Sequence, residues 1–215
     1  MSKLALKTDW TLYAITDELL SSPLPIEEAA RQAILGGAGV VQLRDKHALG
    51  RALYDKALLL RDVSAQEGAV FIVNDRVDVA MAADADGVHL GQEDLPAEAV
   101  RRLVGEPMIV GVSVESLDQA RDAAASGADY LGVGPVFPTT TKEIAAVTGV
   151  ELITLIKQEI DLPLIAIGGI ALDNIAEVAR AGAHGAAVIS ALMGAANIRQ
   201  AAEALVSTFE AAKAK

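Results

Sequence analysis

The sequence predicts an α/β protein that folds as a single-domain (β/α)8 barrel, or TIM barrel. Short apolar runs alternate strictly with longer segments of helical period, and each kind of segment occurs eight times. Each repeating unit averages roughly 27 residues, enough for a strand, a crossover helix and two loops. An open doubly wound sheet is the alternative, but no GxGxxG motif follows the first strand, and a count of eight favours closure. No linker interrupts the pattern, so one domain is expected over residues 1–215.

The order of the elements follows from the apolar pattern and its interruptions. The predicted strands cover residues 12–16, 40–44, 70–74, 87–90, 108–113, 130–134, 164–168 and 186–190. The predicted helices lie near residues 26–36, 49–67, 76–83, 97–104, 116–126, 149–160, 173–181 and 196–213. The fifth predicted helix, at residues 116–126, carries the clearest signals, because Ser116 and Gln119 have the spacing of a capping box and Gly127 is placed to end the helix.

Composition excludes several classes of function. The chain has 18 Lys and Arg against 29 Asp and Glu, and its net charge of -11 argues against binding to nucleic acid or to an anionic membrane. There is no cysteine, which excludes disulfides, thiolate catalysis and cysteine-ligated metal sites. The first ten residues lack an apolar signal segment, so we expect a cytoplasmic protein. The sequence leaves the oligomeric state open and is compatible with a homo-oligomer.

The second strand, read VVQLRDKH, presents the first candidate site residues. Alternation places Gln42, Arg44 and Lys46 on the side of the barrel axis, whereas Val41, Leu43 and Asp45 point the other way. Active sites of such barrels lie at the carboxyl ends of the strands. Two cations converging there need an anionic partner, either a ligand or carboxylates of the barrel itself.

Carboxylates follow the third and fourth strands. Asn74 and Asp75 end the segment FIVND, and Asp94 lies just after the fourth strand. Neighbouring strands would bring the two carboxylates to one mouth, where two carboxylates and substrate phosphates are the usual ligands of Mg²⁺. Taken singly, each aspartate is better explained as a helix cap, and it is the pair opposite Arg44 and Lys46 that favours a metal site.

Loops after the later strands suggest a second anion site. Thr139, Thr141 and Lys142 lie in a long loop after the sixth strand, which has the character of a lid or of a solvated surface loop. Gly168, Gly169 and Ser190 follow the seventh and eighth strands, where barrels of this kind often bind a phosphate. Two anion sites around one mouth suit an enzyme that joins a diphosphate substrate to a monophosphate substrate.

Several motifs together resemble the thiamine phosphate synthase family, also called thiamine-phosphate pyrophosphorylase. The resemblance runs from YAITD at 13–17 to VISALMGA at 188–195, through QLRDK, VNDRVDVA, ADGVHLGQED, GVSVES, GADYLGVGPVFPTTTK and AIGGI. It implies a (β/α)8 barrel and a transferase of thiamine biosynthesis. The implied reaction joins 4-amino-5-hydroxymethyl-2-methylpyrimidine diphosphate to a thiazole phosphate, free or carboxylated, and releases diphosphate with the assistance of Mg²⁺.

The resemblance also implies a role for each matching position. The residues expected to bind the pyrimidine diphosphate are Gln42, Leu43, Arg44, Asp45, Lys46, Asn74, Ser113 and Lys142, with Arg44, Lys46 and Lys142 as the catalytic cations. Those expected to hold the thiazole phosphate are Thr139, Thr140, Thr141, Gly169, Ile189 and Ser190. Asp75 and Asp94 are the expected magnesium ligands.

Two other functions remain open at this point. One is a thiazole tautomerase, a paralogue of similar fold that needs neither diphosphate nor Mg²⁺ and typically lacks the aspartate of GQED and the GPVFPTTTK pattern. The other is a non-catalytic sensor of thiamine phosphate.

Ser113 has no His–Asp arrangement that would make it a nucleophile, and His47, His89 and His184 are interpreted as structural or peripheral hydrogen-bonding groups.

Overall fold

The predicted eight-stranded barrel is confirmed. The computed structural model describes residues 9–139 and 147–214. Within them, parallel strands pair in chain order and the last strand pairs with the first, which closes the sheet. The strands are β1 (Leu12–Ile15), β2 (Val40–Leu43), β3 (Val70–Asn74), β4 (Gly87–Leu90), β5 (Ile109–Val114), β6 (Tyr130–Val133), β7 (Leu164–Ile167) and β8 (Gly185–Val188).

Helices connect the strands and cover the outside of the barrel. They are α1 (Glu18–Ser21), α2 (Ile26–Leu35), α3 (Gly50–Glu67), α4 (Val77–Ala82), α5 (Ala97–Val104), α6 (Leu117–Ala125), α7 (Glu151–Glu159), α8 (Ile175–Arg180), α9 (Ser190–Met193) and α10 (Ile198–Lys213). The eight predicted helices correspond to α2–α8 and α10. The four-residue helices α1 and α9 were not predicted, because a single turn carries no hydrophobic period.

Helix α3 shows how the sequence specifies these elements. Leu53, Ala57, Leu60 and Val63 recur every three or four residues and are buried, so one stripe of the helix packs on the sheet. The helix ends at Gly68, whose φ of 79° lies in the left-handed region that favours glycine. No helix within the described residues has the length and apolar character needed to cross a membrane.

Alternation along the strands separates two hydrophobic cores. Leu12 and Ala14 of β1 point outward into the layer between the sheet and the helices, whereas Tyr13 and Ile15 point into the barrel. The barrel interior also contains Val40, Val70, Ile72, Ile109, Tyr130, Ile165 and Ala187, with Trp10 packed against them. Polar side chains at the carboxyl ends of these strands therefore face a cavity above a filled floor.

Candidate active site

A cavity of about 490 Å³ opens at the carboxyl ends of the strands. The barrel rule predicts a site at this position. The structure brings most of the predicted site residues to the cavity wall: Gln42, Arg44, Lys46, Asn74, Asp75, Asp94, Ser113, Thr139, Gly169, Ile189 and Ser190. Thr140, Thr141 and Lys142 lie outside the described residues.

The two carboxylates are adjacent at the mouth. Asp75 and Asp94 lie within hydrogen-bonding reach of each other, and Asp94 also accepts a bond from the Gly91 amide at 2.7 Å. Burial, followed by the nearby Asp94, raises the pKa of Asp75 to about 6. Neither aspartate caps a helix, because the N-cap residues of α4 and α5 are Arg76 and Pro96, and neither helix has a side-chain cap.

This carboxylate pair fits Mg²⁺. Two adjacent carboxylates that resist joint ionisation bind a divalent cation favourably, since the cation removes their repulsion. The described residues contain no cluster of three or more His, Cys, Asp and Glu side chains that would form an all-protein cage. Mg²⁺ commonly takes one or two carboxylates, with water and substrate phosphates completing its shell, so the donor set matches that use.

Two cations lie beside the carboxylates. Lys46 Nζ is 3.9 Å from Asp75 Oδ2, and the Lys46 side chain remains 54% exposed. Arg44 lines the same cavity, and its charge, like that of Lys46, acts to lower the pKa of Asp75. A loose, exposed pair leaves the Lys46 ammonium free to turn toward an anion in the cavity.

Leu43 and Asp45 have their side chains elsewhere, as alternation along β2 predicts. Leu43 is buried in the layer between the sheet and the helices. Asp45 bonds to Lys56 of α3 at 2.7 Å and accepts the amides of His47 and Ala48. The family resemblance assigned both residues to diphosphate binding, but neither side chain lines the cavity.

The glycine pair after β7 is explained by packing against the preceding loop. Gly168 and Gly169 have φ values of 98° and 65°. A Cβ on Gly168 would lie 2.5 Å from Pro135 Cβ, and one on Gly169 would lie 2.4 Å from the Pro138 carbonyl oxygen. The pair therefore brings the loop after β6 against the loop after β7, which places Thr139 at the rim of the cavity.

Three buried residues of the cavity wall were missed as site residues. The sequence pattern did not single out Tyr13 or Tyr130, and His89 was interpreted as a structural or peripheral hydrogen-bonding group. His89 lies between Tyr130 Oη, 2.8 Å from Nδ1, and Ser113 Oγ, 2.9 Å from Nε2. A histidine inside an otherwise apolar strand, on the same face as the cavity, was the signal available in the sequence.

The fold and the cavity define a class: a (β/α)8-barrel enzyme whose charged site lies at the carboxyl ends of the strands. A family model described as thiamine monophosphate synthase matches residues 12–192. The chain belongs to this family and is a transferase.

Individual relatives agree with this assignment. A thiamine-phosphate synthase of Coprothermobacter proteolyticus is 48% identical over 205 residues, which cover 95% of this chain and 97% of that protein. One of Chloroflexus aurantiacus is 50% identical, with coverages of 92% and 91%. The solved structure of a thiamine phosphate pyrophosphorylase from Pyrococcus furiosus superposes with a TM-score of 0.89 at 44% identity, covering 96% of this chain and 98% of that one. These matches support the synthase interpretation, and they do not support the tautomerase or the sensor.

Proposed function

We propose that this chain catalyses the synthesis of thiamine phosphate from 4-amino-5-hydroxymethyl-2-methylpyrimidine diphosphate and a thiazole phosphate. The observation that carries the proposal is the meeting of Arg44 and Lys46 with Asp75 and Asp94 at one mouth. Cations next to a carboxylate pair suit a diphosphate with its magnesium ion, because each group offsets a charge of the other. The names of the relatives support the same reaction.

The opposite side of the cavity suits the second substrate. Thr139, Gly169, Ile189 and Ser190 line this side, and they come from the loops after β6, β7 and β8. Phosphates are commonly bound at this position in barrels of this kind. The two substrates would thus enter from opposite walls, with their reacting ends meeting above the barrel floor.

The chemistry needs a stabilised leaving group more than a protein base. The bond between the pyrimidine methylene carbon and the diphosphate oxygen breaks, and diphosphate leaves with the electron pair. The thiazole nitrogen then donates its own pair to the methylene carbon, giving thiamine phosphate. Arg44 and Lys46 would stabilise the charge that develops on the leaving oxygen, and the cavity would hold the two reacting atoms in line.

Asp75 and Asp94 would hold the metal ion. When bound, Mg²⁺ neutralises charge on the departing diphosphate. Asp75 and Asp94 would supply carboxylate ligands to this ion, and Arg44 and Lys46 would bind the diphosphate end of the substrate.

The test is an omission assay that measures diphosphate release and, by mass, thiamine phosphate. Equal amounts of both products, only when both substrates and Mg²⁺ are present, are expected. A thiazole substrate altered on its own would indicate the tautomerase, and product binding without turnover would indicate the sensor. Either result would overturn the proposal.

Matched variants connect the assay to the site. Asp94→Asn is expected to reduce turnover by about 100-fold or more and to raise the Mg²⁺ concentration required, because a metal ligand is lost. The control is Asp55→Asn, which removes a carboxylate that pairs with Arg51 on the outer surface of α3. Wild-type turnover of Asp94→Asn at limiting Mg²⁺ would refute the metal assignment.

A further inference from the structure

Four consecutive hydrogen bonds cross the floor of the cavity, and we call the five side chains that they join the relay. Gln42 Nε2 donates to Tyr13 Oη at 2.8 Å, and Tyr13 Oη lies 2.9 Å from Tyr130 Oη. Tyr130 Oη lies 2.8 Å from His89 Nδ1, and His89 Nε2 lies 2.9 Å from Ser113 Oγ. The side chains of the relay come from β2, β1, β6, β4 and β5, so the relay connects opposite walls of the barrel.

Two glycines of the barrel strands leave the space that the relay occupies. A Cβ on Gly111 would lie 2.1 Å from Tyr130 Cζ, so only glycine lets the phenol cross the interior. A Cβ on Gly132 would lie 2.9 Å from His89 Cε1. Two strand positions thus carry no side chain where the barrel interior would otherwise be filled, and polar groups occupy the space.

With the Gln42 amide nitrogen facing Tyr13, the donors and acceptors of the relay permit one direction of hydrogen-bond donation, from Gln42 toward Ser113. An amide nitrogen can only donate, so Tyr13 Oη accepts from Gln42 and must give its own proton to Tyr130. Tyr130 then gives its proton to His89 Nδ1, which leaves the ring proton on Nε2. His89 Nε2 donates to Ser113 Oγ, and the serine hydroxyl proton remains for the cavity.

Burial keeps both phenols of the relay protonated and disfavours the reverse direction of hydrogen-bond donation. Tyr13 and Tyr130 are 1% and 0% exposed, and this burial is the largest cause that raises the pKa of each phenol above its ordinary value. Both hydroxyls therefore retain their protons and act as neutral relay members. In the reverse direction Tyr13 would accept two bonds and hold a buried hydroxyl proton without an acceptor, which is costly.

The two ends of the relay face the cavity. Gln42 and Ser113 both line it, and within the described part of the chain no protein donor bonds to Gln42 Oε1. The relay therefore leaves an acceptor at the β2 wall and a hydroxyl donor at the β5 wall. A flipped Gln42 amide would reverse every bond and exchange these two properties.

We propose that Tyr13, Tyr130 and His89 are positioning residues that fix the hydrogen-bonding polarity of the cavity, so that Gln42 offers an acceptor and Ser113 a donor to the substrate. The inference rests on the proposed function for the identity of that substrate. An aminopyrimidine carries a donor in its amino group and acceptors in its ring nitrogens, and thus complements two walls of opposite polarity. The relay would select this ring and its orientation before any bond breaks.

The first test is the protonation of His89 in the substrate-free protein, measured by nitrogen-15 NMR of the histidine side chains. The chain has 3 histidines, so His89 can be assigned by substitution. We expect a neutral ring with its proton on Nε2. Ser113→Ala should leave the proton on Nε2, because Tyr130 still donates to Nδ1, whereas Tyr130→Phe should release a mixture of both tautomers.

The second test is the kinetics of Tyr130→Phe, which keeps the ring and removes the hydroxyl. We expect KM for the pyrimidine diphosphate to rise about tenfold, with KM for the thiazole phosphate changed by less than about twofold. The matched control is Tyr54→Phe, which removes a hydroxyl from the outer helix α3. If Tyr130→Phe does not fold, Tyr13→Phe cuts the relay on the Gln42 side and should show the same selective rise.

Each result decides the proposal. A proton on Nδ1 or a doubly protonated ring in the wild-type protein would overturn it, and so would an unchanged KM in both tyrosine variants. An equal rise of both KM values would also overturn it, since it would indicate general loosening of the fold. A wild-type protein that makes no thiamine phosphate would refute the proposed function, while the NMR measurement would still decide the direction of the relay.

Discussion

Replacing Asp75 by asparagine is expected to stabilise the metal-free protein at pH 8 and to leave its stability unchanged near pH 3.8. Asp75 lies against Asp94, and burial together with this neighbour raises its pKa to about 6. Its φ of 61° lies in the left-handed region, which asparagine adopts as readily as aspartate. The substitution therefore removes a charge without straining the backbone.

The sign follows from proton binding. Below pH 3.8 the carboxyl is protonated in the folded and the unfolded chain, so wild type and variant differ little. Between pH 3.8 and about 6 the folded protein binds more protons than the unfolded chain, and wild-type stability falls as pH rises. Above this window the full cost of the charged carboxylate is present, and Asp75→Asn avoids it.

The size follows from the same shift. A rise from 3.8 to about 6 corresponds to about 3 kcal/mol. The Asp75 side chain is 26% exposed, so solvent screening reduces the expected gain at pH 8 to about 1–2 kcal/mol. Residues required for metal and substrate binding would thus destabilise the empty fold, which is a known trade-off of functional sites.

The assay is urea unfolding at pH 8 and at the lowest pH where both proteins remain folded, in the presence of a chelator. Asp55→Asn is the control, since its carboxylate lies on the surface next to a cation. Added Mg²⁺ should stabilise the wild type and have little effect on Asp75→Asn. A variant that is equally or less stable than wild type at pH 8, or that gains the same amount at both pH values, would refute the reasoning.

Two other perturbations test the barrel itself. Gly111→Ala should destabilise the protein by about 1–3 kcal/mol in urea unfolding, because the added Cβ meets the buried phenol ring of Tyr130. Gly50→Ala is the control, since its Cβ would lie 3.5 Å from an Arg76 side-chain nitrogen, and it should leave the free energy of unfolding unchanged. The pKa of His184 is lowered by burial and then by Lys157 and Lys213, and its Nδ1 accepts a strand amide. Acidification through pH 6.5 should therefore destabilise wild type more than His184→Gln, because the unfolded chain binds the proton more readily; equal losses would contradict this role.

Local patterns in the sequence were sufficient for the eight strands, for every helix of the described residues except α1 and α9, and for the polar face of β2. The strand at Val40–Leu43 was predicted within one residue at its carboxyl end, and alternation alone separated Gln42 and Arg44 from Leu43. These features depend on residues two apart in an extended chain, so a linear reading contains them. The same reading explains why Leu43 and Asp45, taken from the resemblance, have side chains outside the cavity.

The polar floor could not be predicted in the same way. Tyr13 and Tyr130 are 117 residues apart, and His89 is 41 residues from Tyr130, yet Tyr130 Oη lies within 3 Å of both Tyr13 Oη and His89 Nδ1. An aromatic residue in a strand looks like core whether or not its hydroxyl has a partner. Only closure of the barrel determines which side chains meet across it.

The sequence by itself determined the eight alternating units, their inward and outward faces, and the cations and carboxylates at the strand ends, because these follow from the period of a strand and from chain order. The tertiary structure alone decided that the pKa of Asp75 is raised, and that Gly111 and Gly132 open space for a polar relay. The physical reason is that pKa values and hydrogen-bond direction depend on distances of a few Å between residues far apart in the chain.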